Sequence, residues 1–314
     1  MTLRQKLVKG MLAALKTQKD RLKADDFKQI RRLFDIACGQ LQAPLSNRSR
    51  AFQIGMIDCE WQRPRVCDKQ KAILYVHGGG YAIGSITSHR GLAARLADEC
   101  GCAALLFNYR LAPENPYPAA LHDVAAVYEW LIANDYLPEN IIFAGDSAGG
   151  GLALATLLYL KDKKKAMPRC AVLLSPWADL TGTQASHHEN IMLDPLIDPN
   201  SALLWSKLYA NGMPLNSPYI SPIFGDFSGL PPLIIHVGTE EMLLDDSKRV
   251  FEAAQKANVD VEFEIWDGMV HVFHQFWHIL PEAKTAFQKI GNFVKKHEAS
   301  PSPFLPRREE RNGW

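Results

Sequence analysis

The 314-residue chain has no apolar run of the length a membrane crossing requires. Its longest, such as residues 171–176, fall far short of the ~20 residues that span a bilayer. The amino-terminal segment lacks the uninterrupted apolar centre of a secretory signal, because Lys6, Lys9, Lys16 and Lys19 break it up. Charge of one sign is not in excess either: 35 Lys and Arg against 34 Asp and Glu leave a formal +1. A nucleic-acid binder needs a basic surplus to neutralise phosphates, so none is expected as partner. Cysteines are few and scattered (Cys38, Cys59, Cys67, Cys100, Cys102, Cys170), with no CxxC pair and no zinc spacing. They read as reduced, chemically idle thiols in a cytoplasmic protein without stable membrane insertion.

What is present is ordinary for a globular enzyme or binding protein: 47% apolar and 22% charged residues. A chain this long buries roughly three quarters of its unfolded surface and needs no metal or disulfide staple. From residue 52 onward short apolar runs alternate with amphipathic stretches. The runs are 52–61, 72–77, 102–109, 141–145, 171–175, 233–238 and 261–266. Helical stretches fall at 89–100, 119–133, 148–161, 246–258 and 274–297. That alternation predicts βαβ units and a mainly parallel sheet. It lapses between Trp177 and Leu230, where five prolines, with Pro176 just before them, surround one helical segment at 202–210. This stretch reads as an insertion above the sheet.

Before the first strand, Leu3, Leu7, Met11 and Leu15 recur every four residues on one helical face. Arg4, Lys6, Lys9, Lys16, Lys19, Arg21 and Lys23 stand against Asp20 alone in the same stretch. The expectation is a helix that packs this leucine stripe onto the protein and solvates its cations. A basic amphipathic helix lying on an anionic membrane surface is the alternative. Residues 300–314 hold three prolines and five charged residues and read as a loose tail.

Gly145-Asp146-Ser147-Ala148-Gly149 places a GxSxG sequence between a strand and a helix. A nucleophile at the apex of a sharp strand–turn–helix bend needs neighbours without side chains where backbones close up, and the two glycines supply them. No lysine follows, so this is not a phosphate-binding P-loop. Upstream, His77-Gly78-Gly79-Gly80-Tyr81 follows a strand directly. Consecutive glycines let backbone N–H groups converge where a carbonyl oxygen becomes an oxyanion. His77, at the strand end, suits a structural hydrogen-bonding role better than that of a base.

With these motifs, and with Tyr109-Arg110-Leu111-Ala112-Pro113-Glu114 and Tyr117-Pro118-Ala119-Ala120-Leu121 between them, the sequence resembles the hormone-sensitive-lipase-like (bacterial family IV) carboxylesterases of the α/β-hydrolase fold. The resemblance implies a mostly parallel eight-stranded α/β sheet flanked by helices, with a helical cap. It divides the chain into cap helices over 1–45 and a catalytic domain over 46–299 with a cap insertion at about 178–229. It implies backbone donors at Gly79, Gly80 and Ala148, supported by His77 and Gly78. The expected activity is hydrolysis of short- to medium-chain esters through an acyl-enzyme, with no metal and no cofactor. A homodimer is an assembly the family admits. Amidase, peptidase or thioesterase chemistry uses the same triad, and a ligand receptor without catalysis uses the same fold.

Chain order in this fold runs serine, acid, histidine. His271 lies in a short loop after the run 261–266, within reach of the sheet edge that carries Ser147. His274 and His278 fall in the next helical stretch, and a metal site built from the three lacks convergent carboxylates. The acid follows the run 233–238, where Glu240, Glu241, Asp245 and Asp246 crowd together. The family carries an aspartate three residues after the strand's glycine, a position held here by Glu241. A glutamate can hold the imidazole equally well, so Glu241 is the expected acid, with Asp245 the chief competitor.

Overall fold

The computed structural model describes residues 1–20, 26–40 and 47–298. Eight strands form one sheet: β1 (Arg48–Ile54), β2 (Ile57–Arg63), β3 (Asp68–Val76), β4 (Cys102–Phe107), β5 (Ile141–Asp146), β6 (Cys170–Leu174), β7 (Leu233–Gly238) and β8 (Val261–Trp266). Their spatial order is β1-β2-β4-β3-β5-β6-β7-β8. The pairs β1–β2 and β2–β4 are antiparallel and the rest are parallel. Among the described residues nine α-helices occur, in chain order: α1 (Leu3–Asp20), α2 (Phe27–Gln40), α3 (Ile86–Cys100), α4 (Ala119–Ala133), α5 (Ala148–Asp162), α6 (Ser186–Glu189), α7 (Pro199–Ala210), α8 (Leu244–Lys256) and α9 (Pro281–Lys296).

Strands β4 to β7 are buried at every position because both faces are covered. Ala72, Leu74 and Val76 of β3 join the core under α4 and α5, while Ile73 and Tyr75 point to the core under α3 and α9. Side chains alternate across a strand, so one run feeds both layers. At the margin, β8 is only part-buried. Its Glu262 and Glu264 pair with Lys296 and Lys289 of α9, and charges of this kind discourage pairing with further strands.

Three expectations need correction. The run 52–61 is not one strand: Gly55, at φ +58°, turns the chain into the β1–β2 hairpin, with Met56 fully exposed at its tip. The helix expected over 274–297 is interrupted. A 3-10 turn covers Phe273–Phe276, and α9 begins only at Pro281, whose ring suits a first helical position. The inward stripe of α1 is Gln5, Val8 and Leu12, not the leucines at 3 and 7, which are 84% and 55% exposed. Val8 and Leu12 pack on Met269, Val270 and Phe276, so α1 rests on the loop that carries His271. Helix α2 rests on the glycine loop in the same way: Phe27 and Ile30 meet Ala82, Ile83 and Trp205, and Arg31 donates to Ala82 O and Ala112 O. Residues 21–25, 41–46 and the 300–314 tail lie outside the described residues.

Candidate active site

Parallel strands deliver their carboxyl ends to one edge of a sheet, and ligands of open α/β folds bind there. Each motif residue sits just past such an end: the glycine loop after β3, Ser147 after β5, Ser175 after β6, Glu241 three residues past β7 and His271 five past β8. Four of these turns hold a non-glycine residue in the left-handed region: Tyr81 at φ +61°, Ser147 at φ +52°, Ser175 at φ +49° and Val272 at φ +48°. A β-branched valine there is an outlier. Strained residues of this sort persist where the surroundings over-determine them, and they gather at functional sites.

Why the bend at Ser147 can close is plain from its glycines. A Cβ on Gly145 would fall on the backbone of Gly149, and one on Gly149 would fall on the carbonyls of Val76 and His77. The serine is thereby lifted to the head of α5, with its N–H donating to Leu174 O (2.9 Å) and its carbonyl accepting from Trp177 N (2.9 Å). Ala148 is the first residue of α5, so its N–H has no intrahelical partner. Gly79 and Gly80, at φ +117° and +60°, face the same cavity. Among the described residues, the N–H groups of Gly79, Gly80 and Ala148 donate to no protein acceptor.

The glycine loop is braced from below. Asp146, buried beneath the serine, accepts from Tyr75 Oη (2.7 Å) and Gly78 N (3.1 Å), and its other oxygen lies 3.3 Å from His89 Nε2. Burial works to raise that carboxyl, but His89 and Tyr75 reverse it and hold it below the usual range. His77 stacks on Tyr109 at 4.2 Å and donates from Nδ1 to Gly78 O (2.8 Å). Burial, with His89 nearby, pushes the His77 imidazole down to about 3, so it stays neutral and holds the loop.

Glu241 and His271 are brought together. His271 Nδ1 lies 2.8 Å from Glu241 Oε2. The other carboxylate oxygen accepts from Ser175 Oγ (2.8 Å) and Gly238 N (2.5 Å). Ser175 Oγ in turn accepts from Val272 N (3.2 Å), which ties Glu241, His271 and the end of β6 into one cluster. Burial raises the Glu241 carboxyl against these hydrogen bonds. Burial alone would lower the His271 imidazole; the hydrogen bond and charge of Glu241 more than reverse it, and it lies above the ordinary range. With Nδ1 engaged, Nε2 is the nitrogen left for proton transfer. Ser147 and His271 line the same cavity without a hydrogen bond between them, a looseness usual before substrate binds.

The competing acids have other partners. Glu240 pairs with Lys9 of α1. Asp245 accepts from Ser186 N (2.8 Å) and Lys248 (2.9 Å). Asp246 accepts from Ala178 N, Asp179 N and His187 Nε2 (2.7 Å), fastening the insertion to α8. His274 is buried against His236, and His278 is exposed. Among the described residues no group of three or more His, Cys, Asp or Glu side chains is placed to hold a metal.

The cavity measures about 150 Å³. Leu12 and Leu15 of α1, Leu33 and Phe34 of α2, and Trp205 of α7 give it apolar walls. Of the aromatic residues beside the glycine loop, Trp205 lines it. Tyr81 and Tyr209 stack on each other at 3.9 Å in the core instead. Residues that sequence reasoning passed over are Ser175, His89 and His187. Ser175 carried one weak signal, a polar residue closing an apolar strand. The two histidines carried none.

A strand–serine–helix bend beside a glycine loop and a histidine–carboxylate pair, on a sheet of this order, defines an α/β hydrolase. A family model for the alpha/beta hydrolase fold matches residues 73–275. The chain is 42% identical over 242 residues to an acetyl-hydrolase of Streptomyces hygroscopicus, covering 77% of this chain and 81% of the relative. It is 40% identical over 223 residues to an esterase of Acinetobacter venetianus, covering 71% and 74%. The crystal structure of an esterase from the bacterial hormone-sensitive lipase family superposes with a TM-score of 0.89 at 36% identity, over 95% of this chain and 99% of that one. The chain belongs to the α/β-hydrolase fold family and, within it, to the bacterial hormone-sensitive-lipase-like esterases.

Proposed function

We propose that this esterase cleaves short- to medium-chain carboxylic esters with Ser147 as nucleophile, His271 as base and Glu241 as the acid that orients it. His271 Nε2 takes the hydroxyl proton as Ser147 Oγ attacks the ester carbonyl. The oxyanion settles against the N–H groups of Gly79, Gly80 and Ala148, helped by the positive end of α5. On collapse the C–O bond to the alcohol breaks, and the imidazolium returns its proton to the departing oxygen. Water, deprotonated by His271, then attacks the acyl-serine and frees acid and enzyme. Glu241 keeps the imidazole in the Nδ1–H tautomer and offsets its charge.

The single observation that carries this reading is the 2.8 Å contact of His271 Nδ1 with Glu241 Oε2 in the cavity wall that also holds the strained Ser147. The chain-length preference rests on the family resemblance, and the apolar lining of the cavity accords with an acyl group seated there. Helices α1 and α2 and the insertion at about 178–229 are read as its cap. A homodimer rests on the family resemblance alone. A cytoplasmic setting is supported by six free cysteines, five of them buried. The test is Ser147→Ala with p-nitrophenyl butyrate: kcat is expected to fall by about 10³-fold or more. Retention of most of the activity would overturn the assignment.

A further inference from the structure

The outward faces of α1 and α2 combine two features that seldom stay exposed together. Leu3 and Leu7 stand one turn apart on α1 with most of their surface in solvent, and Ile36 of α2 is 49% exposed. On the same two helices, Arg4 and Lys6 of α1 and Lys28 and Arg32 of α2 are exposed and pair with no acid among the described residues. Lys28, Arg32 and Ile36 follow each other at four-residue spacing and share one stripe. The acids nearby have other partners: Asp26 caps α2 through Gln29 N (3.1 Å), Asp35 accepts from Ser85 Oγ (2.7 Å), Glu240 pairs with Lys9, and Glu282 accepts from Gln5 Nε2 (3.2 Å). Inner faces of the same helices wall the cavity, through Leu12, Leu15, Leu33 and Phe34.

We propose that α1 and α2 dock this protein, reversibly and in the plane of the interface, on an anionic lipid surface. Leucines without a protein partner gain by entering the acyl boundary, and cations without acids gain from anionic headgroups. A second copy of the chain fits the face less well. A two-fold contact sets the same patch against itself, and here that places cations opposite cations. The proposal is independent of the catalytic assignments, because it is tested without any ester.

The experiment is co-sedimentation of the full chain with phosphatidylglycerol–phosphatidylcholine vesicles and with phosphatidylcholine vesicles, at low and high salt. Binding is expected on the anionic vesicles only, weakening as salt rises. Each of Arg4→Ala and Lys6→Ala should loosen it about 5-fold, at ~1 kcal/mol per surface cation. The double variant Leu3→Asn with Leu7→Asn should lose about tenfold or more, while turnover of soluble p-nitrophenyl acetate stays at the parent level. The proposal is overturned if the parent remains in the supernatant with anionic vesicles, or if the leucine variant binds as tightly as the parent. A leucine-dependent dimer that ignores vesicles would overturn it equally, in favour of self-association.

Discussion

The carboxyl edge of the sheet and the first two helices face one cavity, yet they are held by different physics. At the edge, backbone meets backbone. Gly145, Gly149 and Gly79 leave no room for a Cβ, and Ser147, Ser175 and Val272 sit in left-handed conformations that their neighbours impose. On α1 and α2 the contacts to the body run through side chains, and the outward face of each helix is left to solvent. Rigid backbone contacts fix chemical groups to within a fraction of an ångström, as acyl transfer requires. Side-chain packing of an amphipathic helix fixes far less and leaves a face that can meet another surface.

Three changes sharpen that contrast, in descending order of expected effect. The largest is Glu241→Gln, which leaves the shape of the edge while removing the charge behind His271. The kcat should drop by about 10³- to 10⁴-fold, whereas Asp245→Asn, acting on a carboxylate bound to Ser186 and Lys248, should cost less than about threefold. The pH profile gives a second reading of the same pair. The base works only when neutral, so kcat/KM rises with pH through the imidazole pKa of the free enzyme. Because Glu241 holds that pKa above its ordinary value, the acid limb lies above the usual imidazole range, and it should move to lower pH in Glu241→Gln. A limb that stays in place in this variant would separate Glu241 from His271.

Next comes Gly149→Ala. Its methyl would meet the carbonyls of Val76 and His77, and neither can retreat without moving β3. Overpacking of this kind costs about 1–3 kcal/mol, visible as a lower denaturation midpoint, and the displaced serine should lose about tenfold or more in kcat. A fully active, fully stable Gly149→Ala would show that the edge is less tightly determined than its contacts imply. The smallest effect belongs to the helices: the leucine substitutions on α1 should leave soluble-ester turnover unchanged, as their exposure demands.

The same contrast explains what could be read from the sequence. The meeting of Ser147, His271 and the glycine loop at one sheet edge was legible because backbone crowding admits only certain residue types at given offsets from strand ends. The parallel order was legible in apolar runs such as 141–145. Which carboxylate meets His271 was only half legible, since Glu240, Glu241, Asp245 and Asp246 lie within a turn or two of each other. Partners distant in sequence (Lys9, His271, Ser186, His187) distribute them. The inward stripe of α1 was misread because leucines at 3, 7, 11 and 15 and the set Gln5, Val8, Leu12 are both helical faces. Periodicity cannot say which one the loop at 269–276 will accept. The break before Pro281 was missed because apolar periodicity continues through it.

One measurement tests the central claim most directly. The protein is treated with a fluorophosphonate, digested, and the modified peptide is identified by mass spectrometry in the parent and in His271→Ala. The account predicts a single phosphonylated residue, Ser147, in the parent, and labelling slowed by orders of magnitude without the imidazole. Label on another residue, or undiminished labelling of Ser147 in the variant, would contradict it.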